Sequence, residues 1–136
     1  MEARLDLGRR NRIGMIEAIW GEHKTTEQIA AILRELSNLK ELALVTRVNP
    51  EKASELKLLQ SDVVFHERAR CITLGTAMPF DPLLGEVDIL TGGTSDLSVA
   101  AEAELTLKLH GIQTRILFDV GVAGLHRLLG ELENIK

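Results

Sequence analysis

Two short stretches carry residue types and spacings that could do chemistry. The first is Gly92-Gly93-Thr94-Ser95-Asp96, between a β-type run over 87–91 and an apolar helical pattern that begins at Leu97. Glycines let the backbone approach a ligand closely, a helix start offers N–H groups without intrahelical partners, and two hydroxyls add donors. Such a loop suits phosphate. The same residues also make an ordinary strand-to-helix turn with Ser95 or Asp96 as its cap, and both readings stand at this stage. The loop is neither a Walker sequence nor a complete Gly-x-Gly-x-x-Gly fingerprint.

The second stretch starts at Asp119, which closes a β-type run over 114–119 and is followed by Gly121-Val122-Ala123-Gly124 and by His126-Arg127. Ligands of open α/β sheets bind beyond the carboxyl ends of the strands. An imidazole and a guanidinium there suit a proton transfer and a carboxylate or phosphate. Against this, His126 could cap a turn and Arg127 could be a solvated surface residue. Lys24 and Arg47 flank ordered elements earlier in the chain and could reach an anion, although charges at element ends are mostly solvated. His23, His66 and His110 show no metal-ligand spacing, and Cys71 in an apolar run reads as a small packed hydrophobe.

The elements that must position these residues divide the chain into an expected first unit over 1–76, a linker over 77–86 and a second unit over 87–136. The first unit reads as a small α/β domain. It has a short strand within 15–20 and a helix opened by the capping box Thr25-Thr26-Glu27-Gln28, with Ile29, Ile32, Leu33 and Leu36 on one face. A strand over 42–48 leads to a second helix with Asn49 as cap and Pro50 in its first turn. The runs 63–66 and 71–74 read as a hairpin. Pro79, Pro82 and two glycines mark the linker.

In the second unit, strand, helix, strand and helix follow in order, with Gly111 ending the first helix. This is the opening of a parallel, doubly wound sheet. Two strands do not bury both faces of such a sheet. The expectation is that further strands belong to a longer parent chain, with the first unit or another subunit as the alternative cover.

Composition bounds the function. The 136 residues are 45% hydrophobic and 26% charged, a globular balance. Aromatic residues make up 3%, the net charge is -4, and Arg9, Arg10 and Arg12 are the densest basic cluster. Nucleic acid is therefore not an expected partner. A single cysteine excludes an intrachain disulfide or a multi-cysteine metal site. Separately, no metal and no bound cofactor are expected for this chain. With no apolar run of membrane length and no secretory leader, the expected location is the cytoplasm, without membrane contact.

Asp6-Leu7-Gly8-Arg9, Gly21 with Lys24-Thr25, Leu44-Val45-Thr46-Arg47-Val48, Gly93-Thr94-Ser95-Asp96-Leu97 and the long run from Asp119 to Leu129 together resemble the LarB family. That family is related to the PurE-type aminoimidazole ribonucleotide carboxylases. The resemblance spans nearly the whole chain, and the run Asp-Val-Gly-Val-Ala-Gly-Leu-His-Arg-Leu-Leu is its most specific part. It implies an enzyme that carboxylates the pyridinium ring of nicotinic acid adenine dinucleotide with CO2 or bicarbonate as co-substrate. The same enzyme cleaves the phosphoanhydride, giving pyridinium-3,5-biscarboxylic acid mononucleotide and AMP, a step toward the nickel-pincer nucleotide cofactor.

The resemblance further implies a PurE-like fold, a homo-oligomer (octameric in the family) and sites between subunits. Gly93, Thr94, Ser95 and Asp96 then match the loop that holds phosphate and the reacting end of the substrate. His126 and Arg127 match the PurE Ser-Ala-His-Arg turn, whose histidine is an acid/base. On this reading Asp96 and His126 are the catalytic candidates, Gly93, Thr94, Ser95 and Arg127 the phosphate-binding ones, and Lys24, Arg47 and Asp119 secondary ones.

The departures are equally specific. Gly92 stands where the family commonly has alanine, and His23 where a small residue is usual. The family's Gly-Met-Glu-Gly and Ser-Cys segments, which supply a glutamate and the cysteine that attacks the ring, have no match, and Cys71 is in the wrong domain to replace it. The chain therefore resembles the front half of such an enzyme and is expected to lack turnover by itself. Two alternatives remain: a PurE-like carboxylase or mutase acting on a ribonucleotide, and a short non-catalytic phosphate-binding or assembly module.

Overall fold

A computed structural model describes residues 5–135; the sequence readings at residues 1–4 and at Lys136 lie outside them. By contacts the chain divides into two compact units, Met1–Thr76 and Ala77–Lys136. Both are mixed α/β.

The first unit begins with a short helix that the sequence reading passed over as a charged lead: α1, Arg9–Ile13. Gly14 closes it in the left-handed conformation (φ 75°), with its N–H on the Arg10 carbonyl at 2.8 Å. Arg12 grips Asp6 through two hydrogen bonds of 2.8 and 2.6 Å, and this arginine holds the Asp6 carboxyl below its usual range.

Three elements then form a parallel β-helix-β unit: β1 (Ala18–Trp20), α2 (Thr26–Asn38) and β2 (Ala43–Thr46). The capping box at the start of α2 is complete. Thr25 Oγ1 accepts from the Gln28 N–H at 3.2 Å, and the Gln28 side chain accepts from the Thr25 N–H at 3.0 Å. Next come α3 (Pro50–Leu59), capped by Asn49, and the antiparallel hairpin of β3 (Val64–His66) and β4 (Cys71–Leu74).

Strand β4 lies between β2 and β3, so the sheet order is β1-β2-β4-β3. Both parallel strands are shorter than expected: β1 begins only at Ala18, and Arg47, in left-handed backbone with φ 58°, stops β2. Ile29, Leu33, Val45, Val48, Leu56 and Ile72 are fully buried in one apolar cluster that fastens α2 and α3 to the sheet.

The second unit is smaller in core. Its parallel pair is β5 (Glu86–Leu90) and β6 (Gln113–Leu117), joined through α4 (Leu97–Leu109) and followed by α5 (Leu125–Glu131). Asp88 and Arg115 face each other in register and form a two-pronged ion pair at 2.9 and 2.8 Å, with the Asp88 side chain nearly buried. Residues 77–86 belong to this unit: the Met78 N–H donates to Leu109 O and the Asp81 N–H to Gly111 O, and Pro82–Leu84 is a single 3-10 turn. Leu125 and Leu129 of α5, and Leu132 just after it, stay about half exposed. No helix of the described residues is long and apolar enough to cross a membrane.

Gly111 ends α4 with φ 77°, and a Cβ placed there would overlap the Pro79 carbonyl. Gly111→Ala therefore meets both a left-handed penalty and a clash. It is expected to cost the second unit about 2 kcal/mol or more, measured by amide hydrogen exchange in 77–135 against the first unit as reference.

In the first unit, burial lowers the His66 pKa, and its Nε2 lies 2.9 Å from Thr73 Oγ1. The unfolded chain thus binds the proton more readily than the folded one. Stability from this group is intact above the unfolded value of about 6.5 and declines as pH falls from there through the lower folded value. His66→Gln should flatten that part of the stability–pH curve, read by urea unfolding between pH 7 and 5.

Candidate functional site

The two loops at the carboxyl ends of β5 and β6 meet. Thr91, buried, carries the pairing one step beyond the strands: its N–H donates to Leu117 O at 3.0 Å and its carbonyl accepts from the Val120 N–H at 2.9 Å. Its hydroxyl accepts from the Asp119 N–H at 3.2 Å. One residue further, Gly121 packs directly on the Gly92 carbonyl, leaving no room for a Cβ.

Within the first loop, Asp96 folds back. One oxygen of its carboxylate accepts the N–H groups of Gly92 (2.9 Å) and Gly93 (3.0 Å), and its own N–H donates to Gly93 O at 3.1 Å. The carboxylate thus holds the loop in one shape. Thr94–Asp96 forms a 3-10 turn that runs into α4. By the geometry of a helix start, the N–H groups of Thr94 and Ser95 have no intrahelical acceptor. Both residues are exposed, so these donors and two hydroxyls lie at the surface of the loop.

In the second loop, Asp119 takes left-handed backbone (φ 57°) and its carboxylate pairs with Arg127 Nη1. Arg127 thereby joins the same strand edge as Thr91 and Gly92. His126 is exposed on the first turn of α5, with no hydrogen bond or ion pair to the loop residues. Of the sequence candidates, the structure brings Gly93 and Asp96 into one hydrogen-bonded loop and joins Asp119 to Arg127, while His126 is linked to neither.

Lys24 and Arg47 belong to the first unit, at the carboxyl ends of its own parallel pair. There Gly21 lies against Val45 and the Thr46 carbonyl, with its N–H on Thr46 O at 2.9 Å. The loop 21–24 is held by Lys52, whose ammonium donates to the carbonyls of Gly21, Glu22 and Lys24 at 2.9, 3.2 and 2.8 Å. Sequence reading missed Lys52 and Thr91. The one available hint for Lys52 was a cation in the first turn of a helix, where the dipole disfavours it. Among the described residues, no group of three His, Cys, Asp or Glu side chains could hold a metal ion.

The fold and this edge define an α/β protein in which a glycine loop and an arginine converge at the carboxyl ends of parallel strands. The chain belongs to the LarB/PurE-like family: residues 1–76 match its N-terminal domain, described as the LarB/PurE-like N-terminal domain. It is also 32% identical, over 97% of its length, to the uncharacterized protein MJ0165 of Methanocaldococcus jannaschii, covering 54% of that protein. The chain thus spans about half the length of the curated relative it matches.

The contact between Gly121 and Gly92 gives a direct test of the site's geometry. Gly121→Ala should force the loops apart, visible as amide shifts of 91–96 and 119–124 in NMR spectra. Unchanged shifts would mean that the loops do not depend on each other.

Proposed function

We propose that this chain carries the first domain and the opening part of the catalytic domain of a LarB-type enzyme. That enzyme carboxylates the pyridinium ring of nicotinic acid adenine dinucleotide with CO2 or bicarbonate. It also hydrolyses the phosphoanhydride, giving pyridinium-3,5-biscarboxylic acid mononucleotide and AMP. Family membership supports the reading, and one structural observation carries it: exposed Thr94 and Ser95 donors at a helix start, beside an arginine tied to the same strand edge.

On this proposal a substrate phosphate is bound by Gly93, Thr94 and Ser95 with Arg127, through helix-start N–H groups and charge-assisted bonds. Asp96 shapes the loop, and its second oxygen, with His126, is the proposed site of proton transfer. The attacking cysteine and the glutamate of such an enzyme have no counterpart in this sequence. The proposal therefore assigns this chain substrate binding and assigns turnover to a protein of the relative's length, working as a homo-oligomer. Lys24 and Arg47 belong to the first unit and are not assigned to the loop.

The test is AMP release from nicotinic acid adenine dinucleotide in the presence of bicarbonate, using a protein of the relative's full length. Release is expected, and Arg127→Met should cut it by about tenfold or more. An intact, folded protein that releases no AMP would sink the assignment. Nucleotide binding without release would instead favour a non-catalytic phosphate-binding module.

A further inference from the structure

Asp119 is one of four non-glycine residues with positive φ among the described residues, and its side chain reaches Arg127, a candidate site group. Left-handed backbone is strained for most side chains and tolerated by Asp and Asn. An exposed ion pair contributes little to stability, and both partners here are well exposed, Asp119 at 54% and Arg127 at 39% of the side chain. Stability alone therefore gives little reason for this arrangement.

Three neighbours make the arrangement specific. The Asp119 N–H is anchored on the buried Thr91 hydroxyl at 3.2 Å, which fixes the backbone from which the carboxylate projects. The carboxylate engages Arg127 at Nη1. Gly124, buried, lies against the guanidinium: a Cβ there would fall within 2.6 Å of Nη2 and 2.8 Å of Cζ. The guanidinium rests on glycine backbone on one side and is gripped at one nitrogen. Its Nε and Nη2 donors have no acceptor among the described residues, and a guanidinium presents five donors in a rigid fork.

We propose that Asp119 is a positioning residue: it acts through Arg127, fixing the guanidinium over Gly124 so that the remaining donors are held ready for an anionic ligand at the Gly93–Ser95 loop. The proposal rests on the reading of that loop edge as an anion site. Asp119 does not contact the ligand. Its negative charge, matched by Arg127, is the cost of holding the fork in one orientation before the ligand arrives. The ligand class is a phosphate or diphosphate group, whose oxygens match the fork and the helix-start donors.

The experiment uses the 136-residue chain and inorganic pyrophosphate, titrated by calorimetry and followed through the amide signals of 92–96 and the Arg127 Nε–H signal. Asp119→Asn keeps a residue that tolerates left-handed backbone and removes the charge. Asp119→Gly removes the side chain without strain, as a second variant should the first disturb the loop. Each should weaken pyrophosphate binding by about three- to tenfold, the range of one ordinary net hydrogen bond, because Asp119 acts only through Arg127, with unfolding curves unchanged. In an Arg127→Met background, Asp119→Asn should weaken binding no further.

Binding unchanged or tightened in Asp119→Asn overturns the proposal, because the carboxylate is then a bystander or a repelling charge. Equal weakening in the Arg127→Met background also overturns it, because Asp119 then acts independently of Arg127. If the wild-type chain shows no pyrophosphate response, the anion-site reading fails instead. The Arg127 Nε–H signal still decides the positioning role. A slowly exchanging signal that Asp119→Asn abolishes supports it, and one that Asp119→Asn leaves unchanged overturns it.

Discussion

Both units answer to one constraint: adjacent parallel strands cannot be joined by a tight turn, so the chain must cross over through a helix. β1-α2-β2 and β5-α4-β6 are the two solutions. The crossover places each strand's carboxyl end beside the start of the next helix, where backbone donors lack partners. Glycine then recurs at those ends for a steric reason. Gly21 lies against Val45 and Thr46, and Gly121 against Gly92, because neighbouring loops leave no space for a side chain. The pairing of β5 with β6, prolonged by Thr91, brings Gly92 and Asp119 within reach of each other, and the rest of the candidate site depends on it.

Three charged side chains serve as internal ties in this molecule. Asp96 ties down two loop N–H groups, Asp88 grips Arg115 across the strands, and Lys52 gathers three carbonyls of the 21–24 loop. The pairing with Asp88 raises the Arg115 pKa further, so that guanidinium stays charged throughout. Against that background Thr94 is exposed, and the exposed Ser95 makes one long side-chain bond, its hydroxyl donating to Asp96 Oδ1 at 3.4 Å.

Features with local chemistry were readable in the sequence. Thr25 with Gln28, Asn49 with Pro50, and Gly111 at a helix end announced themselves because capping and chain reversal need particular side chains at particular offsets. The hairpin of β3 and β4 was legible as two short β-type runs close in sequence, but its insertion beside β2 was not, because strand order leaves no periodic trace. Helix α1, five residues with no side-chain cap, lies below the length at which apolar spacing carries information. The ends of β2 and β6 were read too long because Arg47 and Asp119 adopt a conformation their residue types rarely reveal. At the candidate site the loop residues were visible as a motif. The roles of Thr91, Asp96 and Lys52 as ties within the structure required coordinates, since each acts on backbone atoms that no sequence pattern marks.

Trp20 has an optical consequence. It is the only tryptophan, the chain has no tyrosine, and the indole is 57% exposed beside His23, with its N–H on Glu22. Intrinsic fluorescence of this protein therefore arises in the first unit alone. Phe80 and Phe118, the aromatic residues of the second unit, are too weakly emitting to contribute. An emission-monitored unfolding curve is a private record of the first unit, and its difference from a backbone circular dichroism curve isolates the second without any label.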